Sequence, residues 1–560
     1  MADPTPLPTA PRDWNRRTFL TLGLFALGVL GVNLATSSSY GITSDEPVIH
    51  MGGVWQLWAM SSDVPDRWNF KRSPPPEVTR LTRFTGHPDN MGHYIFPGFP
   101  GFFCAAVATV ARHLPGYTEI DAVHAGLAIL HALAVLALGL YLTRLFGLRR
   151  ALFTVILFAL FPSAAGQSHY NIKDWPCAEF YALSCVAFLV GAVEDRVRFY
   201  LQSAVWLGLG LASKANPVFV FPTLLLWMPL AAYCLYRDGR RPKRWSLVAV
   251  CLLPNLATLV FYAAWPYLHS GTAKEQWDKF AEVVSFFMTR ARTDRDTFSP
   301  YPFLLLATMT PPIELLGLAL AAVLPFRSTD RREAAAASLG LIWIVIPLVR
   351  IALPHSNYYD GNRHFLEYVP ALAMLAAQGL DLGIGWLEGQ IARRRDPRST
   401  GLAGRGLLVA VMLLAAWPTL QYHPFESTYY NLFVGGLGGA QARQLTRPYV
   451  QRMEFWAVDS ETDYWGYSYR DALRVVGEVA EKNASFAPCG NLIGPLTPFQ
   501  HARPDLRQSS KEGADFFVVI PRGPFCSEDE RRYVRENAEI VKEERRDGGL
   551  IYGVYRRKRG

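Results

Sequence analysis

Eleven apolar runs, separated by short polar segments rich in Arg and Lys, constrain this sequence more than any other feature, and the fold they predict is an α-helical polytopic membrane protein. The runs cover residues 18–35, 122–143, 151–165, 176–193, 199–213, 217–236, 246–267, 302–325, 335–354, 365–384 and 407–420. Several fall short of the roughly 20 residues a span needs, so they must recruit flanking polar residues or be buried among neighbours. A further stretch, 94–110, is apolar but broken by Pro97, Gly98, Pro100 and Gly101, and reads as an interfacial segment.

Charge sets the orientation, because short cytoplasmic loops carry the excess of Lys and Arg. Arg16 and Arg17 place the N-terminus inside. With eleven spans, the clusters around Arg144/Arg149/Arg150, Arg237–Arg244, Arg327/Arg331/Arg332 and Arg393–Arg398 all fall on that same side, whereas twelve spans put all four outside. Eleven spans therefore place Asp45, the loop after Ala165, Lys214, the segment after Pro354 and everything after Leu420 on the outer face. The motif Arg16-Arg17-Thr18-Phe19-Leu20 resembles a twin-arginine export signal, but no cleavage site follows and the chain continues into further spans, so a retained first helix is expected.

A net charge of +9 invites a nucleic-acid reading, yet the basic residues sit in short clusters between apolar runs and read as topology signals; no nucleic-acid partner is expected. The first outer segment, 37–120, carries Trp55, Trp58 and Trp68 and is expected to form juxtamembrane helices at the interface. After residue 421 the composition changes to that of a soluble α/β domain, 422–560, with a helix-like stretch from Asp471, an apolar strand-like run from Ala514, and Asp547-Gly548-Gly549 between two further strands. Of seven cysteines, only Cys489 and Cys526 lie in polar sequence, both in this outer domain, where an oxidising compartment allows a disulfide. Two free thiols are the alternative.

The outer ends of the spans collect chemistry. Asp45 and Glu46 follow the first run, His87-Pro88-Asp89 lies in the first outer segment, Lys173-Asp174 follows the third run, Lys214 follows the fifth, and Asp360-Gly361-Asn362-Arg363-His364 follows the ninth. A carboxylate at the membrane surface stays ionised yet can meet a lipid-carried substrate. The plain alternative is that Ser44 or Asp45 caps a helix begun by Pro47. For the histidines, no HExxH-like spacing supports a metal site.

These pieces resemble the GT-C superfamily of membrane glycosyltransferases, in particular the bacterial branch similar to protein O-mannosyltransferases and lipid A aminoarabinose transferases. The motifs carrying the resemblance are Asp45-Glu46, His87-Pro88, Asp174, Lys214, Tyr359 to Phe365 leading into Pro370, and the C-terminal His423-Pro424-Phe425-Glu426 and Asp463-Tyr464-Trp465-Gly466. Where relatives often have His-Pro-Pro, this chain has His87-Pro88-Asp89.

The resemblance implies a transmembrane glycosyltransferase domain over 1–421 in a bacterial cytoplasmic membrane, with a polyprenyl-phosphate-sugar donor, a membrane-lipid environment and a hydroxyl acceptor. Asp45 would be the general base. Lys214, Arg363 and His364 would bind the donor phosphate, Glu46 and His87 would support the site, and Asp174 would bind acceptor or a divalent ion. The rival class is a transporter or lipid flippase, which tends to place ionisable groups at mid-membrane depth and to repeat its halves. Neither the sugar, the acceptor nor the oligomeric state is encoded in these motifs.

Overall fold

The computed structural model describes residues 15–64, 66–70, 74–82, 98–236, 241–289, 295–357, 359–393, 397–450, 461–489, 502–522 and 526–558. Helices dominate. Among the described residues, eight are long and apolar enough to cross a membrane, and two bent pairs raise the number to ten. The run at 199–213 forms Val197–Leu211, only 15 residues long, so it falls short of that length and the eleven expected spans become eight to ten by this measure. The stretch expected at the interface forms Phe99–Ala111, also shorter than a span.

Local sequence explains the helix ends. Helix α1 (Arg16–Thr36) starts where the Asn15 side chain accepts from Thr18 N at 2.8 Å. Helix α2 spans Glu46–Ser61, and α3 (Glu119–Phe146) opens on a Thr118/Asp121 capping box and closes at Gly147, whose φ is +83°. Proline bends the next segment: α4 (Leu148–Leu160) and α5 (Pro162–Tyr170) meet at 67°. Residues 167–170, expected as a loop, are therefore helical, because Pro162 restarts the helix instead of ending it. Helix α6 (Asp174–Glu194) is almost wholly buried at the centre. It turns back through Asp195 into α7 (Val197–Leu211).

Outer helices keep apolar side chains exposed, as lipid-facing helices must: Leu24 and Leu27 on α1, and Leu413 and Leu420 on Pro397–Tyr422. Small residues let the inner helices approach closely. A Cβ on Gly379 would lie 2.0 Å from the Gly317 carbonyl oxygen. Trp55 is buried, its ring tilted against Phe70 with centroids 4.5 Å apart, and it donates to Arg67 O at 2.9 Å.

Ion pairs separate the two ends of the bundle. One end gathers Arg144 with Glu194 (2.5 Å), Arg150 with Asp381 (2.6 Å) and Arg149 with Asp381 (3.0 Å). The opposite end gathers Asp45, Lys173, Asp174, Lys214 and Arg363.

Beyond Tyr422 the chain forms a five-stranded sheet in the order β2-β1-β3-β5-β4, from β1 (Ser485–Pro488), β2 (Arg507–Gln508), β3 (Phe516–Val519), β4 (Ala538–Arg546) and β5 (Gly549–Arg557). β1 pairs in parallel with β2 and β3, while β5 runs antiparallel to β3 and β4. Asp547 (φ +46°) and Gly548 (φ +80°) make the tight β4–β5 turn, the conformation an Asp-Gly pair favours. Cys489 and Cys526 are joined by a disulfide, with Cα atoms 5.0 Å apart. Alkylation of the unfolded, unreduced protein is expected to leave both thiols unlabelled until reductant is added. Labelling of both without reductant would contradict the bridge.

The sheet portion is seated on the end of the bundle that carries Asp45. Asp463 explains how: its carboxylate accepts from the N–H groups of Trp465 (3.0 Å), Gly466 (2.8 Å) and Ser468 (2.7 Å), fixing a tight loop. From that loop Trp465 O accepts from Ser44 N at 3.0 Å, next to Asp45. Arg470 reaches Asp121 at 2.7 Å, and a Cβ on Gly41 would strike the Tyr467 carbonyl oxygen at 2.1 Å.

Candidate active site

Asp45 stands at the N-cap position of α2, but its side chain makes no capping hydrogen bond. It turns instead toward two cations. Lys173 Nζ lies 2.6 Å and Arg363 Nη1 3.0 Å from the same oxygen, Oδ2. Among the described residues no donor reaches Oδ1, and the side chain is 32% exposed, so one carboxylate oxygen is left without a protein donor. Burial alone disfavours its charge, but Lys173 and Arg363 outweigh this and hold Asp45 well below the usual carboxylate range.

Glu46, its neighbour, points the other way. It is buried, accepting from Thr43 N at 2.6 Å and meeting His124 Nε2 at 2.8 Å, which ties the loop before α2 to α3. The two acids thus have different surroundings, one open and one enclosed.

Arg363 is the hub. Its guanidinium is 4% exposed, lies 4.6 Å from the Trp465 ring centre and 5.0 Å from that of Tyr359, and contacts Asp45, Asp174 (3.9 Å) and Asp360 (2.9 Å). Burial lowers its affinity for a proton, but Asp360 and its other anionic neighbours raise it further, so it stays charged. Lys214, carried in the turn after α7, donates to Asp174 Oδ1 at 2.5 Å. Asn171 holds Asp174 in place, accepting from its N–H at 2.9 Å and donating to Oδ2 at 3.3 Å. Arg522, from the loop after β3, completes the chain of charges by pairing with Asp360 and donating to Tyr464 O.

Three carboxylates (Asp45, Asp174, Asp360) therefore meet four cations (Lys173, Lys214, Arg363, Arg522), an excess of one positive charge. Lys173 and Lys214 are the more open, with side chains 29% and 21% exposed. An anion entering from solvent would meet these ammonium groups first, with Arg363 behind them. The arrangement does not fit a divalent ion, since each carboxylate is already engaged by Lys or Arg. Among the described residues the only close grouping of possible ligands is Cys489, Cys526 and Glu530, whose sulfurs are in the disulfide.

His364 packs edge-on against Tyr359 at 4.6 Å, while its backbone carbonyl accepts from Asn216 at 3.2 Å. Burial, with Arg363 and Lys214 nearby, keeps its imidazole neutral, so it can offer an N–H but not a charge. His87 lies outside the described residues. Lys173, Asp360 and Arg522 were not singled out from the sequence. Lys173 and Asp360 sit inside motifs that were, whereas Arg522 has no local signal. The expectation that ionisable groups gather at one face also needs amending, because Glu179 pairs with His131 at 2.6 Å within the bundle and Glu314 is fully buried there.

Residues 101–265 match the family model of dolichyl-phosphate-mannose-protein mannosyltransferases. That segment is less than a third of the chain. The matched segment carries Lys173, Asp174 and Lys214. Similar solved structures include ArnT from Cupriavidus metallidurans in the apo state, at 16% identity over 96% of this chain and 97% of that one, with a TM-score of 0.47. The same protein bound to undecaprenyl phosphate gives 0.44 over the same shares at 16% identity. The Archaeoglobus fulgidus oligosaccharyltransferase in its apo form follows at 13% identity, 88% and 63% coverage, and a TM-score of 0.42. None of the curated proteins matches the chain in sequence.

Proposed function

We propose that this protein is an inverting glycosyltransferase that moves a sugar from a polyprenyl-phosphate donor to a hydroxyl acceptor at the outer face of a bacterial cytoplasmic membrane. The observation that carries the reading is Asp45: a carboxylate with one oxygen open, set beside a cluster with one positive charge to spare. Lys173 and Lys214, backed by Arg363, would hold the donor phosphate and take up the charge that grows on it as the glycosidic bond breaks. The acceptor hydroxyl attacks the anomeric carbon from the side opposite the phosphate, so the configuration inverts.

Asp45 Oδ1 receives the acceptor proton. As a weak base it does so late, once the new bond has made the acceptor oxygen acidic. Held in one geometry, donor and acceptor react without the entropic cost of meeting in solution. Mass spectrometry of glycolipids and glycoproteins from a strain lacking the gene is expected to show one class of glycoform shortened by a sugar. An unchanged profile would overturn the proposal.

The reading also requires a sidedness. Reporters fused after Arg150, Arg244 or Arg332 are expected to read cytoplasmic, and one fused after Gly560 extracytoplasmic. A cytoplasmic C-terminal reporter would place the sheet portion, and the Asp45 site it covers, on the wrong side.

A further inference from the structure

We infer that the C-terminal portion completes the anion site: Arg522 neutralises Asp360 and so leaves Arg363 its charge for Asp45 and for a bound phosphate. This rests on the phosphate-binding reading given above. Asp360 lies between two guanidinium groups, Arg363 Nη2 at 2.9 Å and Arg522 Nη2, and all three side chains are buried. The turn carrying Asp360 is shaped to present it. Asp360 has φ +58° and Gly361 φ +63°, two successive left-handed residues. Tyr301 clamps that turn by donating to Gly361 O at 3.1 Å, and a Cβ on Gly361 would lie 3.0 Å from the Tyr464 ring.

Arg522 is held with equal care. One nitrogen binds Asp360 and the other the Tyr464 carbonyl, a two-pronged contact that only a planar guanidinium makes. Its own carbonyl accepts from Cys526 N at 2.7 Å, Cys526 is bridged to Cys489, and Cys489 N donates to Val518 O at 2.7 Å in β3. The disulfide therefore fastens the loop bearing Arg522 to the sheet. Without Arg522, Asp360 would draw wholly on Arg363, and the excess positive charge of the cluster would vanish. Arg522 acts as a positioning residue, 162 positions along the chain from its partner.

The test is the binding of farnesyl phosphate to the full-length protein in detergent. Arg522→Gln is expected to weaken binding about tenfold. The double variant Arg522→Gln with Asp360→Asn, which restores the charge balance and keeps a side chain that tolerates a left-handed backbone, is expected to recover it to within about threefold. Failure of the double variant to recover would mean that Arg522 acts only structurally, and would overturn the inference. Should Arg522→Gln fold poorly, Arg522→Lys takes its place: its ammonium keeps the charge beside Asp360 while giving up the contact to Tyr464 O. Because the inference rests on the charge, Arg522→Lys is expected to bind within about threefold of wild type, and a loss of about tenfold with Lys would overturn the inference. Lys214→Ala is the benchmark. If Lys214→Ala weakens binding and Arg522→Gln does not, the inference falls while the phosphate site stands. If the wild-type protein does not bind farnesyl phosphate, the site reading and the inference fall together.

Discussion

Asp45→Asn is expected to lower turnover by at least about a hundredfold, the low end of what a positioned general base contributes, while leaving the fold intact. The amide keeps the shape but accepts no proton, and it gives up the charge that draws Lys173 (2.6 Å) and Arg363 (3.0 Å) to one oxygen. Because the side chain is 32% exposed, the lost pairing should cost no more than about 1 kcal/mol of stability. Glu46→Gln should behave in the opposite way. Its carboxylate is buried between Thr43 N and His124, so stability should fall by about 1–3 kcal/mol with turnover within about threefold. Turnover and melting temperature of the two variants decide the matter. Activity retained in Asp45→Asn but abolished in Glu46→Gln would reverse the assigned roles.

Arg363→Gln is expected to be the most damaging single substitution in the cluster, abolishing turnover and costing about 3–5 kcal/mol of stability. Its guanidinium is the shared partner of Asp45, Asp174 and Asp360, two of which are almost fully buried, and its removal leaves like charges facing one another. Arg363→Lys should rescue little, since one ammonium cannot meet Asp45 and Asp360 from separate nitrogens. The pH dependence has a defined sign. Asp45 titrates below its unfolded value in the native protein, so its stabilisation is present above the unfolded carboxylate pKa of about 4 and is lost as pH falls through the folded value. The stability gap between wild type and Arg363→Gln should therefore be widest near neutrality and narrow below about pH 4. Thermal melts across that range check it, and a gap that widens in acid would contradict the pairing.

Hydrophobic length and the placement of Arg and Lys were enough to read a many-span bundle, because each span must satisfy its own backbone in lipid whatever its neighbours do. The acid pair after the first run and the Lys173-Asp174 and Arg363 motifs were visible for a related reason. Charged residues are costly near a membrane, so those that remain at span ends stand out against an apolar background. The β4–β5 turn was readable too, since Asp547-Gly548 fits a backbone few other pairs adopt.

What sequence left undecided depended on contacts between distant segments. Nothing local distinguishes Asp45 from Glu46; only packing shows that one faces Lys173 and Arg363 while the other is enclosed by Thr43 and His124. Residues 151–165 read as one run, but Pro162 bends it, because its φ suits the first turn of a new helix. Arg522 was one arginine among many in a polar segment. Its position against Asp360 exists only because the Asp463 loop, the disulfide and the sheet seat that segment on the bundle. Periodicity and charge placement act along the chain and are readable from it, whereas the pairing of buried charges is decided by which segments the fold brings within hydrogen-bonding distance.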